Sequence, residues 1–135
     1  MNFLLGLLLL TGFAQSGDRP IESAHVSGPN GLEGWTLRNE VEGLESQGPL
    51  PMSLVIARKG KVLRRIAGDP FLWRWKFASS GKLIAYESGP LHFALNCALV
   101  DIASGKQVAQ YDCFYANELP LDAPQWVKEL ETDSQ

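Results

Sequence analysis

A chain of 135 residues is the size of one domain with a single hydrophobic core. Its composition, 45% hydrophobic and 20% charged, is that of an ordinary soluble globular protein. The net charge of −3 excludes a general nucleic-acid-binding signature, and thirteen glycines and eight prolines favour a fold with many turns.

The first segment, residues 1–14, has the pattern of a signal peptide. An apolar run from Phe3 to Leu10 precedes Gly12 to Ala14, which places small residues at positions −3 and −1 of a cleavage after Ala14. Cleavage after Ser16 is the second option, and the absence of Lys or Arg before the run departs from the usual pattern. The run is shorter than the ~20 residues of a membrane span, and no cysteine lies near the cleavage point for a lipid anchor. We therefore expect a periplasmic or extracellular protein whose mature chain starts near Gln15, without a membrane span.

Residues 15–31 are polar and broken by prolines and glycines, which predicts an extended lead-in to the domain. From residue 32 to residue 118 apolar runs alternate with turn sequences, so we expect an antiparallel β-domain there. Its first strand is predicted from Leu32 to Val41, with Trp35 and Leu37 on one side of the extended chain.

The segment Met52–Ala67 predicts a β-hairpin with Gly60 at its turn. Five cations, which we call the basic hairpin residues, cluster at positions 58–65: Arg58, Lys59, Lys61, Arg64 and Arg65. One interpretation is a surface for an anionic partner such as lipid headgroups, polysaccharide or nucleic acid. The other is a solvated strand whose cations prevent edge-to-edge pairing. The second is favoured because no aromatic residue is interleaved with the cations, as a stacking platform would require.

The central segment Phe71–Phe77 alternates aromatic and mostly cationic residues, which predicts a half-buried strand. A turn at 79–82 would place aromatic pairs on one face of the hairpin and an ion pair on the outer face. The predicted pairs are Phe77 with Ile84, Trp75 with Tyr86, and Arg74 with Glu87. An aromatic row results: Trp73, Trp75, Phe77 and Tyr86. This row is either core or a carbohydrate-stacking platform, and the usual burial of aromatic side chains favours core.

The same region carries two turn motifs, W-K-F-A-S-S-G-K-L-I-A-Y-E-S and L-V-D-I-A-S-G-K. Together they resemble one four-stranded blade of the TolB-like and WD-repeat β-propellers, over about a third of the chain. Ser79 and Ser80 stand where those blades usually have Pro-Asp, and Ser104 stands where Thr is common. No second copy is evident, and a propeller closes only with several blades. The resemblance therefore implies a blade-like sheet, without a propeller's ligand site or partners.

Two cysteines, Cys97 and Cys113, lie on either side of the turn sequence A-S-G-K. Phe93–Ile102 predicts a strand covered on both faces, and Lys106–Phe114 predicts its partner. One register places the cysteines directly opposite each other, whereas a shift by one residue would put them on opposite faces. In an exported protein we expect them to form a disulfide that closes a loop of about 15 residues, with buried thiols as the alternative. No C-x-x-C spacing occurs, which argues against a redox dithiol or a structural zinc site.

The C-terminal segment, residues 119–135, predicts a short helix followed by a polar tail. Asp122 is a suitable N-cap and Pro124 is tolerated in a first turn. The apolar face of this helix comprises Trp126, Val127 and Leu130. A helix of two or three turns is too short to be stable alone, so we expect it to dock on the sheet.

Candidate catalytic residues are sparse. We single out His92, which follows a Gly-Pro pair, together with Glu87 and Asp101, for an acid–base or ligand-binding role. A histidine that enters a buried strand is more often structural, and the other histidine, His25, lies in the lead-in. The sequence contains no nucleophile elbow, no H-x-x-x-H pair and no glycine-rich phosphate loop before a helix. We therefore expect no catalytic constellation, no metal and no cofactor.

These observations predict a mainly β fold, an antiparallel meander of about six to seven strands with one short C-terminal helix. They favour an exported, non-enzymatic structural or interaction module whose partner is another envelope or extracellular protein. One alternative is a small hydrolase or ligand-binding protein that uses the turn between Glu87 and His92. Another is an anionic-surface binder that uses the basic hairpin, residues 58–65. Nothing in the sequence specifies one partner, and nothing indicates nucleic acid.

Overall fold

Apolar alternation and glycine-containing turns divide the chain into short strands. The structure, a computed structural model, describes residues 19–90, 95–114 and 119–132, so the predicted signal peptide at 1–14 and His92 lie outside the described residues. The strands are β1 (Ile21–Glu22), β2 (Val26–Ser27), β3 (Leu32–Asn39), β4 (Leu50–Arg58), β5 (Lys61–Ala67), β6 (Phe71–Phe77), β7 (Leu83–Gly89), β8 (Asn96–Asp101) and β9 (Gln107–Asp112). One α-helix, α1, spans Gln125–Thr132, and short 3-10 helices span Pro29–Gly31 and Glu45–Gln47.

The strands form two antiparallel sheets, one from each half of the chain. In the first sheet β4 lies between β3 and β5, and both β1 and β2 pair with the other side of β3. In the second sheet β6, β7, β8 and β9 lie in sequence order. The predicted mainly β, antiparallel fold with one C-terminal helix is confirmed, and seven of the nine described strands have six residues or more. The other two, β1 and β2, are two-residue strands within the segment that the sequence predicted as an extended lead-in.

The main hydrophobic core lies between the two sheets. Its buried side chains come from both of them: Leu32, Leu54, Ile56, Leu72, Phe77, Ile84, Val100 and Ile102. Gly34, inside β3, allows the sheets to approach closely, because a Cβ at this position would lie 2.6 Å from the ring of Trp75. A glycine in a strand interior thus marks the place where an aromatic side chain of one sheet touches the backbone of the other.

The predicted register of β6 and β7 is confirmed. The observed pairs include Phe77 with Ile84, Trp75 with Tyr86, and Arg74 with Glu87. The connecting turn is closed by Ala78, whose N–H donates to the carbonyl of Leu83 at 2.9 Å. A β-bulge between Leu72 and Arg74 leaves Trp73 as an extra residue in β6.

The predicted ion pair between Arg74 and Glu87 is wrong. Glu87 is only 4% exposed, and Arg74 instead pairs with Glu131 of the C-terminal helix. The prediction assumed that this face of the hairpin is exposed to solvent. In the structure α1 covers the face, so that Glu87 lies beneath the helix while the longer side chain of Arg74 reaches the edge.

The helix α1 packs on the outer face of the second sheet, as predicted. Val127 and Leu130 are buried there against Cys97 and its neighbours on β7 and β9. Asp122 is not the N-cap, because the helix begins only at Gln125. Pro124 precedes the first helical residue, and its carbonyl accepts hydrogen bonds from the N–H groups at positions 127 and 128.

The disulfide between Cys97 and Cys113 is confirmed. Its predicted register is wrong by two residues, because Cys97 lies opposite Tyr111 rather than opposite Cys113. The turn closes early, since Gly105 N–H donates to the carbonyl of Asp101 at 2.8 Å. A shift by two residues keeps both cysteines on one face, so their Cα atoms are 5.8 Å apart and a disulfide still forms.

Candidate functional site

A cleft opens where the first sheet extends past the second. β6 is an edge strand of the second sheet and lies over β4 and β3, where Trp75 touches Gly34. β1 and β2 continue the first sheet beyond β3, and a cleft of about 530 Å³ lies between β6 and the segment 23–29, which contains β2. Pockets that hold small ligands have volumes of roughly 300–1,000 Å³, so this cleft is large enough to be a binding site.

The first sheet supplies the floor of the cleft, and β6 supplies its wall. The floor consists of Thr36, Arg38 and the segment 23–29 apart from its histidine. Ser23 attaches that segment to β3, since its Oγ accepts the N–H of Thr36 at 2.8 Å and its own N–H donates to the Thr36 carbonyl. All six residues from Leu72 to Phe77 line the wall. Because neighbouring strand residues point to opposite faces, this lining shows that the backbone edge of β6 borders the cleft.

The cleft carries positive charge. Its described lining includes Arg38, Arg74 and Lys76, and no aspartate or glutamate. Arg38 is exposed, and its side chain makes no hydrogen bond or ion pair with a described residue. The Arg74 side chain is 45% exposed, and one of its guanidinium nitrogens binds Glu131. A cleft with this charge favours an anionic partner over a cationic one.

The aromatic row is divided between the core and the cleft. Phe77 is 9% exposed and Tyr86 packs half-buried against the core, as the core interpretation predicted. Trp73 and Trp75 are half-buried and line the cleft. Their rings are already engaged, because Trp73 Nε1 donates to the carbonyl of Gly89 at 2.9 Å and Trp75 meets Phe77 edge-on at 5.5 Å. Trp75 is therefore not free as a flat stacking platform, and Trp73 is fixed by its N–H bond and by an edge contact with Phe71 at 5.7 Å.

His25 holds the cleft floor from the outer side of the first sheet. Its ring stacks on Trp35 at a centroid distance of 4.0 Å, its Nε2 contacts Glu22 at 2.9 Å, and its Nδ1 contacts Glu33. The hydrogen bonds to Glu22 and then Glu33 raise the pKa of His25 above its usual value. Sequence reasoning assigned no role to this histidine, because Glu33 and Trp35 are on another strand and no local motif connects them to the lead-in.

Two of the residues predicted around the Glu87–His92 turn, Glu87 and Asp101, lie apart, and His92 is outside the described residues. Asp101 lies opposite Leu83, four residues before Glu87 on β7 and therefore about 13 Å away along the strand. Asp101 accepts hydrogen bonds from the N–H and hydroxyl of Ser104, which lower its pKa and close the β8–β9 turn. The structure thus gives Asp101 a local structural role and separates it from Glu87.

Glu87 occupies an unusual position beneath α1. Its Oε2 atom is buried and has no hydrogen-bond partner. Burial raises the pKa of Glu87 to about 7, helped by a hydrogen bond and charge repulsion from Glu131, while Arg74 acts in the opposite direction. Glu87 does not line the cleft between the two sheets, and its burial and raised pKa give it the character of a buried titrating group.

Glu131 also lies close to the disulfide. Ligand atoms of Cys97, Cys113 and Glu131 are within 4.8 Å of one another, which is the only such grouping of three potential metal ligands found in the described part of the chain. The two sulfurs are bonded to each other and cannot act as thiolate ligands. This grouping therefore does not make a metal centre.

The basic hairpin residues serve different purposes. Arg58 Nε donates to the carbonyl of Asn30 at 3.2 Å, and Arg64 donates to the carbonyls of Ile102 and Ala103 at 3.1 and 2.8 Å. Two of the five cations therefore bind backbone atoms of the protein itself. The other three are exposed, on or next to the edge strand β5: Lys59, Lys61 and Arg65. Cations at this position oppose the addition of another strand to β5.

No protein-family model matches this chain, and no curated protein and no solved structure is significantly similar to it. Within the residues that the structure describes, no helix is long and apolar enough to span a membrane. The fold and the cleft therefore define the class, a two-sheet antiparallel β-protein with a helix on one face, and the function must be argued from the site.

Proposed function

We propose that this chain is an exported, non-enzymatic interaction module that binds its partner in the cleft between the two sheets. The observation that carries the proposal is the composition of the cleft, with three cations, two tryptophans and no carboxylate in its described lining. Aromatic and cationic side chains around a concave surface are typical of binding sites. Glu87 and Asp101, the carboxylates that sequence analysis considered for catalysis, are not part of this lining.

Export is the second part of the proposal. It is supported by the signal-peptide pattern of residues 1–14 and by the disulfide between Cys97 and Cys113, since disulfides persist mainly in oxidising compartments. Mass spectrometry of protein recovered from the periplasm or medium should find a chain that begins near Gln15. An intact N-terminal methionine on protein recovered from the cytosol would disprove this part.

Binding in the cleft can be tested by NMR on isotope-labelled protein with two sets of probes, short peptides and oligosaccharides, each in acidic and neutral form. Chemical-shift changes should concentrate on β6 and on the segment 23–29. The variant Ala24→Phe adds bulk at an exposed cleft residue and should abolish them, whereas Ala67→Phe, at an exposed alanine of β5 outside the cleft, should not. Shifts that cluster on the basic hairpin residues instead would favour the anionic-surface alternative and overturn this one.

A further inference from the structure

We propose that the cleft binds an extended acidic peptide, which adds to the open edge of β6 as a fifth strand of the second sheet. The inference rests on the proposed function and deepens it by naming the class of partner. Three independent features of the described residues support it: the unpaired edge of β6, the uncovered inner face of the first sheet, and the charge of the lining.

The edge of β6 has backbone groups available for pairing. Ala78 N–H donates to the carbonyl of Leu83, so the pair 78/83 is hydrogen-bonded, and hydrogen-bonded pairs alternate along an antiparallel ladder. In the same register the pairs 76/85 and 74/87 are also hydrogen-bonded. Trp75 and Phe77 lie between these pairs, so their N–H and C=O groups point away from β7 and toward the cleft. In the described part of the chain β6 pairs only with β7, so no described strand occupies this edge.

The first sheet provides a surface for such a strand to cover. It continues past β3 with β1 and β2, and the segment that carries β2 places Ala24 and Val26 in the cleft floor beside the buried Thr36 of β3. A strand added to β6 would lie over these residues. Successive side chains of the strand point to opposite faces, so every second residue would face this floor, where Ala24, Val26 and Pro29 offer apolar contacts.

The remaining side chains of the added strand would point away from the floor, to the outer face of the second sheet. Arg74 lies on that face, where it is paired with Glu87 across the ladder and binds Glu131 of α1. Arg74 retains exposed guanidinium surface there, and Arg38 lies exposed in the floor. Acidic side chains in this row complement Arg74, because a guanidinium binds a carboxylate with strong, directional hydrogen bonds. Arg38 adds positive charge from the floor and so attracts the acidic peptide as a whole. The geometry thus points to a peptide with alternating apolar and acidic residues.

A peptide fits these observations better than a sugar does. A glycan would stack on flat aromatic faces, but Trp75 is packed on Gly34 and edge-on against Phe77, and Trp73 is half-buried with its ring against Phe71. A glycan also lacks the regularly spaced N–H and C=O groups that pair with a strand edge. The oligosaccharide is therefore an outcome of the test and not the expected ligand.

The probe is an acetylated, amidated peptide of about seven residues in which valine alternates with glutamate, a length that matches one strand. Binding to the full chain and to the chain that begins at Gln15 is measured by fluorescence anisotropy. Two control peptides are used, one with alternate backbone nitrogens methylated and one with lysine in place of glutamate. We expect the first control to bind at least about tenfold more weakly because it lacks N–H donors, and the second because it repels the arginines.

A matched pair of protein variants tests the charge argument. Arg38→Glu reverses an exposed cation in the cleft floor, and Lys61→Glu makes the same change at an exposed cation on β5 outside the cleft. We expect Arg38→Glu to weaken binding of the glutamate peptide at least about tenfold, and Lys61→Glu to change it less than about twofold. Equal effects of the two variants would show that only overall charge matters, which would overturn the site.

Amide hydrogen exchange tests the strand addition itself. Saturation with the glutamate peptide should slow exchange of the N–H groups of Trp75 and Phe77, because these change from unpaired to hydrogen-bonded, while Arg74 should change little. An acidic oligosaccharide that shifts cleft resonances without slowing these amides would overturn the peptide inference and leave the proposed function intact. Failure of every probe to bind the cleft would overturn both.

Amide exchange measured without added peptide would reveal two other possible occupants of the β6 edge. If a second copy of the chain covers the edge, the exchange of Trp75 and Phe77 will be slow and will depend on protein concentration. If residues 1–14 cover it, exchange will be slow at every concentration and will become fast in the chain that begins at Gln15. Either result would overturn the proposal of a separate acidic peptide.

Discussion

Trp75 lies directly against the backbone of Gly34, although the two residues belong to different sheets. A Cβ at position 34 would be 2.6 Å from the Trp75 ring and 3.2 Å from Phe77. This contact sets how closely β6 can approach β3, and β6 is the wall of the cleft. The first prediction follows from it.

Gly34→Ala should lower the free energy of unfolding by about 1–3 kcal/mol, because the new methyl group overpacks the interface between the sheets. Chemical denaturation monitored by tryptophan fluorescence measures this change. Combining it with Trp75→Phe, which removes the ring atoms that the methyl group would meet, should make the double variant less destabilised than the sum of the two single variants. Strictly additive effects on the free energy of unfolding would mean that the Trp75 ring does not restrict the space at position 34.

Reducing the disulfide between Cys97 and Cys113 should lower the melting temperature by roughly 10 °C, since a closed loop of this size contributes about 3 kcal/mol in the chain-entropy model. The chain has only these two cysteines, so a reductant acts on this bond alone. A peptide map without reductant should show them in one linked fragment. The variant Cys97→Ala/Cys113→Ala serves as the control, and its melting temperature should not respond to reductant.

The buried carboxyl of Glu87 should make stability depend on pH. Its pKa is about 7 in the folded chain and near 4.5 when exposed, so the folded state holds a proton that the unfolded state releases. The free energy of unfolding should therefore fall as pH rises from about 4.5 to about 7, by up to about 3 kcal/mol. Glu87→Gln, which cannot ionise, should remove most of this slope.

Denaturation at a series of pH values measures that dependence. Glu40→Gln, at an exposed position, is the matched control and should retain the slope of the unmodified protein. If the unmodified protein were instead equally stable across this window, Glu87 would be hydrated or paired in solution and the buried position would be incorrect.

Two neighbouring arginines of the basic hairpin should behave differently. Arg64→Gln should cost about 1 kcal/mol or more of stability, because Arg64 donates to the carbonyls of Ile102 and Ala103 and so connects β5 to the second sheet. Arg65→Gln, at an exposed position on the same strand, should change stability by less than about 0.5 kcal/mol. Thermal unfolding of both variants under the same conditions compares them, and similar losses would contradict the structural role of Arg64.

Much of the second sheet was predictable because its signals are local. Alternating side chains and a short turn decide the pairing of β6 with β7, so Trp75 lies opposite Tyr86 as expected. Cys97 and Cys113 were also predictable as a pair, since a hairpin with the correct parity brings them to one face even when its register shifts by two. The resemblance of this region to a propeller blade stays a prediction.

The candidate site was not predictable, because it depends on how the two sheets are placed against each other. Arg38 and Trp75 are in strands far apart in the sequence, and both line the cleft only because β6 lies over β3. His25 likewise acquires its contacts with Glu33 and Trp35 only once β2 pairs with β3. No residue spacing in the sequence predicts contacts of this kind between distant segments.

The sequence by itself determined the seven longer strands, the docking helix and the pairing of the cysteines, since side-chain periodicity, turn residues and cysteine parity are properties of short segments. Only the tertiary structure decided which faces became buried. It placed α1 over Glu87, so that an expected surface ion pair became a buried carboxyl with a raised pKa. Among the residues that the structure describes, it also left the outer edge of β6 without a pairing strand. The physical reason is that burial depends on what another part of the chain covers, and neither alternation nor propensity within a segment carries that information.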